Sequence, residues 1–298
     1  MRADHRWSKS QMGAQSMFSV ARVGVLAIIA GVGQVYAAAD DDECKGPSQD
    51  CVAVGRWNFS VGLGAGIRTN PLVGGKDIPL VVVPQFSYYG KRFFIDNLDF
   101  GFTVAERGGN TFSLIATPGY DRVYFYRTDL QNFFIGFPNV FEPSSPTLVT
   151  AGAAGATKVP PPAPRITYLA GPEWTFKYGR VSGQLDLLRD ATGQNSGDEI
   201  RGALGMPLLE SKGTLSANMG FTWKSAATVN YYYQVPILYS GSAAFSPFVR
   251  LGYTLPLKGK WRFNAFAEYE RLGNGIANSP IVAEHGVATA FVGSIYTF

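Results

Sequence analysis

Few side chains in this chain of 298 residues have the type and spacing for catalysis. Beyond the first forty residues there is one histidine, His285, with Ser279 six positions before it and Glu284 and Glu268 nearby. Ester hydrolysis on such a set needs nucleophile, base and an orienting group within mutual hydrogen-bond reach. A lone histidine in a loop is more often a solvated polar residue, and the expectation is a protein that is not an enzyme. No phosphate loop, dinucleotide fingerprint or His-x-x-x-His spacing is present. Cys44 and Cys51 are the only cysteines. Two thiols fall short of the four ligands of a structural zinc site, but in an exported chain they can close a small disulfide loop. No metal and no cofactor is implied.

A larger set of polar residues is defined by alternation. From Trp57 to Arg68, the residues Trp57, Phe59, Val61, Leu63, Ala65 and Ile67 share one face, while Asn58, Ser60, Gly62, Gly64, Gly66 and Arg68 share the other. Successive side chains of a strand point to opposite faces, so one face is apolar and the other polar or tiny. The same pattern recurs over 165–178, 214–224 and 261–271. Weaker versions run over 78–89, 93–106, 111–122, 180–190, 200–209, 245–257 and 287–298. If the apolar faces meet lipid, then Arg68, Glu173, Lys177, Arg180, Asp186, Arg201, Lys224, Arg250, Arg262, Glu268 and Glu270 point inward. Left on a lipid face at mid-membrane, a lysine or arginine costs ~2–4 kcal/mol. Both signs are present, which fits a salt-bridged plug filling a narrow barrel, or the lining of a small diffusion pore.

The segments are ~10–14 residues long, against ~5–6 for an ordinary globular strand; a tilted membrane strand needs ~9–11. Aromatic residues stand near segment ends, as in the girdles of outer-membrane barrels: Trp57, Tyr88, Tyr178, Trp223, Trp261 and Tyr296. Short turns alternate with longer connections at 127–164, 225–244 and 273–286. The expected fold is all-β: a transmembrane antiparallel up-and-down β-barrel over 56–298. Eleven segments are visible and single-chain bacterial barrels have an even number. Twelve strands are therefore expected, with ten as the alternative, and the unresolved boundary lies in 91–126. A soluble β-sandwich would reverse the faces, but segment length and the glycines of the polar faces speak against it.

Composition agrees. Glycine contributes 35 residues, aromatics 14% and charged residues 16%, against ~25% charged in an average protein. Mean hydropathy is +0.02, yet past the N-terminus no run of ~18 uncharged apolar residues exists to form a membrane helix. Residues 1–39 read as a cleaved signal peptide: Arg2, Arg6 and Lys9 precede an apolar run to Gly33, and small residues end at Ala37 or Ala39. Either Met1 or Met17 can be the initiator. Residues 40–55 are then a periplasmic N-terminal segment. With the leader's cations removed the chain is nearly neutral, and no basic cluster interleaved with aromatics points to nucleic acid. The Pro/Ala-rich stretch at about 127–164 reads as a long loop.

The chain ends on Tyr296-Thr297-Phe298, a strand with terminal phenylalanine and an aromatic two positions earlier. This resembles the signal read by the barrel-assembly machinery. The stretch Arg271 to Val282, containing Asn278-Ser279-Pro280-Ile281-Val282, resembles a motif of the MltA-interacting protein (MipA/OmpV) family. Tyr88 to Phe94 and Tyr231 to Val235 resemble two further regions of that family, and the likeness spans roughly 52–298. Asn274 departs from the family's acidic residue at that point. The resemblance implies a Gram-negative outer-membrane barrel that acts as a scaffold between a lytic murein transglycosylase and a murein synthase. The alternative is a narrow passive-diffusion porin.

Overall fold

A computed structural model describes residues 54–125 and 164–298. The leader, Cys44, Cys51, most of the N-terminal segment and nearly all of the Pro/Ala-rich loop lie outside the described residues. No helix among the described residues is long and apolar enough to cross a membrane.

Twelve antiparallel strands close into one barrel, each paired with its neighbours in sequence and β1 with β12. They are β1 Trp57–Arg68, β2 Ile78–Tyr89, β3 Phe93–Asp96, β4 Asp99–Arg107, β5 Asn110–Pro118, β6 Tyr168–Tyr178, β7 Val181–Asp190, β8 Asp198–Glu210, β9 Thr214–Lys224, β10 Ala244–Pro256, β11 Trp261–Arg271 and β12 Gly286–Thr297. Helix α1 (Ala226–Tyr233) lies between β9 and β10, and α2 (Asn274–Ala277) between β11 and β12. Even strand number places both ends of the barrel sheet at the end where the connections are tight turns. The longer connections gather at the other end, the loop end.

The twelfth strand comes from 93–106, which was read as one run but folds as two strands. Asn97 adopts a left-handed backbone at φ 53° and, with Leu98, reverses the chain between Asp96 and Asp99. Asn is among the few non-glycine residues that accept this conformation. Its side chain helps, since Asn97 Oδ1 accepts from the Phe86 N–H at 3.1 Å and the Asn97 N–H donates to the Phe86 carbonyl at 2.8 Å. The hairpin is therefore short. On its β3 side β2 is paired only over Ser87–Tyr89; above Phe86, among the described residues, that edge has no strand partner. Two prolines, Pro79 and Pro84, lie in this stretch. Proline cannot donate to a ladder and is tolerated at an edge. Since Phe86 directs its groups to Asn97, alternation directs Pro84 to the same open side.

The faces follow the period-two pattern. Met219, Val249 and Leu251 are 60%, 58% and 54% exposed on the outside. On the inside, Arg68, Asp186, Arg201, Arg250 and Glu268 are buried. A continuous apolar exterior on a closed barrel is a lipid-facing surface. Aromatics pair across strands at the turn end, Trp57 with Tyr88 at 5.1 Å and Trp261 with Tyr296 at 5.0 Å, and Tyr296 also meets Phe298 along the chain at 5.1 Å. The inward glycines make room for large rings. A Cβ on Gly64 would stand 2.6 Å from Phe291 Cζ, and one on Gly220 2.7 Å from Phe248 Cζ.

Candidate functional site

Strand register sets the inward charges in two rows. One runs Arg68 (β1), Thr289 (β12), Glu268 (β11), Arg250 (β10), Asn218 (β9), each residue directly opposite the next. The other runs Glu173 (β6), Asp186 (β7), Arg201 (β8), Thr222 (β9). Opposite charges facing across strands stabilise a sheet, and like charges oppose it.

In the first row Arg68 Nε donates to Thr289 Oγ1 at 3.0 Å. Arg250 lies 3.6 Å from Glu268 and stacks on the Phe266 ring, 4.1 Å from its centroid. In the second row, Glu173 and Asp186 face each other as like charges, and the Gln184 amide donates to both at 3.0 Å. Arg201 is the counter-charge. Its Nε pairs with Glu199 at 2.7 Å, while the rest of the guanidinium reaches Thr117 Oγ1, the Pro118 carbonyl and the face of Tyr120. Arg262 and Glu270 also lie on inward positions of β11. Of the eleven residues expected as interior charges, nine are buried or half-buried within these rows or beside them, Arg262 nearest the turn end; Lys177 and Arg180 are exposed.

Two sequence expectations are corrected. Arg180 does not point inward: it is exposed at the turn end and pairs with Glu210 at 3.1 Å, while Lys177, on the same face of β6 as Glu173, is exposed at the rim. The strand β6 ends at Tyr178, so alternation no longer governs Arg180. The segment 111–122 is not one strand either. It ends at Pro118, and Tyr120–Tyr124 form a 3-10 turn that carries Asp121 to the far wall. There Asp121 pairs with Lys224 at 2.6 Å and accepts from the Tyr233 hydroxyl at 2.8 Å. Glu199, Asp99, Asp96 and Asp121 were not singled out from sequence. The first is the partner of Arg201, and an inward arginine that needs a counter-charge two residues away along its own strand face was the available signal.

Above these charges the loops build a second, apolar core. Leu72, Tyr124, Val229, Tyr233, Ile276 and Val282 belong to one buried cluster drawn from four connections. The Ser279-Pro280-Ile281-Val282 motif is its stitching. Ser279 Oγ donates to the Tyr233 carbonyl at 2.7 Å, the Val73 N–H donates to the Ile281 carbonyl at 2.9 Å, and Leu72 forms a β-bridge with Val282. The Ser279 hydroxyl is thus engaged with the backbone of α1, while His285 is exposed. Burial pushes the Tyr232 and Tyr233 hydroxyls well above their ordinary value of 10.0, so both stay protonated donors. Toward the turn end the inward side chains include the polar, half-buried Asn58, Ser60, Ser87, Ser216 and Thr254 and a buried apolar cluster of Val83, Phe266, Phe291 and Ile295. Among the described residues, loop side chains cover the interior charges at the loop end.

Among the described residues no group of three or more His, Cys, Asp or Glu side chains is placed to hold a metal ion. No curated protein matches the chain. Among solved structures, an anion-selective porin from Comamonas acidovorans is 10% identical over 82% of this chain and 99% of its own, at a TM-score of 0.33. The outer-membrane expressed OmpT of Vibrio cholerae is 12% identical over 83% and 99%, at a TM-score of 0.32. The family profile described as MltA-interacting protein MipA matches residues 61–298.

Proposed function

Since the chain belongs to the MltA-interacting protein (MipA) family, we propose that this barrel is a scaffold in the Gram-negative outer membrane, holding murein-processing enzymes at its periplasmic end. The strands cross the membrane with tight turns and strand termini in the periplasm and loops outside, the usual arrangement of such barrels. The family is named for its interaction with MltA, a lytic transglycosylase. Carried to this chain, that makes a lytic transglycosylase the first partner to seek and a murein synthase the second. Outer-membrane lipid and the barrel-assembly machinery, reading Tyr296 and Phe298, complete the set.

The observation that favours a scaffold over a porin is the sealed loop end. The Asp121–Lys224 pair reaches across the interior and the Glu199–Arg201 pair projects into it from β8, with side chains 1–11% exposed, and an apolar core of loop residues covers them. A solute would have to displace both. The test is planar-bilayer conductance of the purified barrel, run beside capture of a lytic transglycosylase. A folded, silent barrel that retains the enzyme is expected. Steady current that shifts in Arg250→Ala and Arg262→Ala would overturn the scaffold in favour of the porin.

A further inference from the structure

The two ends of the barrel differ in charge. Every turn at the turn end carries a cation: Lys91 and Arg92 between β2 and β3, Arg107 before β5, Lys177 and Arg180 between β6 and β7. Lys212 follows between β8 and β9, Lys258 and Lys260 between β10 and β11, and Arg56 just before β1. All nine are exposed, and among the described residues the anions that oppose them are Glu106, Glu210 and the C-terminal carboxylate of Phe298. Among the described residues the loop end is balanced instead. Lys76 is followed by Asp77, and Arg189 pairs with Asp198 at 3.3 Å. Its other cations are Arg122, Arg165 and Arg271, its other anions Asp190 and Glu284.

We infer that the basic ring at the turn end is a docking surface for a carboxylate-rich polymer, the murein sheet itself. A ring of like charge around one mouth sums its field over that mouth and attracts a multivalent anion more strongly than any single pair. The ring lies past the aromatic pairs Trp57–Tyr88 and Trp261–Tyr296, which mark the membrane interface, so its charges face outward from the membrane along the barrel axis. Phosphate headgroups are the other anion within reach. Both leaflets of an outer membrane carry phosphate, so a headgroup role calls for the same excess at both ends, whereas among the described residues the excess is at the turn end. Murein lies on one side alone. The inference rests on the orientation and murein-linked role proposed above, and gives the scaffold a direct hold on the substrate of its enzymes.

The test is co-sedimentation of the full-length detergent-purified protein with isolated murein sacculi. A variant carrying Lys212→Glu, Lys258→Glu and Lys260→Glu changes exposed turn residues only, and heat-modifiable migration verifies its barrel. A loop-end variant carrying Lys76→Glu and Arg165→Glu serves as control. Expected are binding by the wild type that weakens about ten-fold in the turn variant, loss in high salt as the charges are screened, and no change in the control. Wild-type protein that stays in the supernatant at low salt overturns the inference, as does equal binding by the turn variant. So does loss of anionic-phospholipid vesicle binding in the turn variant with sacculus binding unchanged, which assigns the ring to headgroups. Capture of a transglycosylase, measured on the same proteins, separates the two readings. Retained capture without sacculus binding overturns this inference alone, and sacculus binding without capture overturns the scaffold alone.

Discussion

At the scale of single residues the interior is held by charges that have no water to fall back on. Asp121 is the clearest case, because one carboxylate serves Lys224 and Tyr233 at once while 1% exposed. Truncating one partner of a buried ion pair costs about 3–5 kcal/mol, most of it the stranded partner. Asp121→Ala is therefore expected to lower barrel stability by that amount in urea titration, and Asp121→Ala with Lys224→Met to recover most of it. Tyr233 adds a pH dependence with a definite sign. Its folded-state pKa is raised by burial, so above about pH 10 the unfolded chain loses a proton that the folded chain keeps, and stability falls as pH rises. Below that pH both states are protonated and the contribution is constant. Tyr233→Phe is expected to flatten part of the alkaline slope in unfolding titrations run from pH 8 to 11.

At the scale of elements, strands are selected by what each edge and face can tolerate. Ala217 in β9 is paired on both sides, with Leu251 and Met206, and Ala217→Pro is expected to cost at least ~3 kcal/mol or prevent refolding. Pro84 sits on the open edge of β2, and Pro84→Ala is expected to change the unfolding midpoint little. The glycines of β1 are set by a ring on the neighbouring strand. Gly64→Ala overpacks against the Val292 carbonyl and the Phe291 ring and is expected to destabilise by about 1–3 kcal/mol in urea titration, an effect that a second change, Phe291→Ala, relieves only in part because the backbone carbonyl stays. Pro84 of β2 was visible in the sequence and marked an edge within a closed barrel. The two-residue reversal at Asn97 and Leu98 shifts the outward face from odd positions (Phe93, Ile95) to even ones (Phe100, Phe102), and that change of parity was the signal a single alternating run over 93–106 passed over.

At the scale of the whole molecule, the protein is a lipid-faced wall with a charged filling and a stitched cover. Ser279→Ala leaves the Tyr233 carbonyl without its hydroxyl donor, at a cost of about 1–3 kcal/mol for a buried acceptor. The cost falls on the cover and not on the wall. Limited proteolysis at the loop end should accelerate in that variant, with the heat-modifiable migration of the barrel unchanged; a lost barrel band would place Ser279 in the wall's own stability. The motif Asn278 to Val282 then has a structural meaning, since it ties the β11–β12 connection to α1 and to the β1–β2 connection.

The alternation of apolar and polar residues by itself determined the barrel, its lipid face and which charges turn inward, because a strand has only two faces and burying a charge in lipid is costly. It did not determine the partners. Arg201 and Glu199 share a strand, but Asp121 reaches Lys224 from 103 positions away, and local spacing carries no information about closure of that length. Nor did spacing show that loops would pack an apolar core over the mouth, since Leu72, Val229, Ile276 and Val282 come from separate connections and only their meeting makes a cover. Faces are fixed by local geometry; seals and ion pairs are fixed by closure of the sheet into a ring.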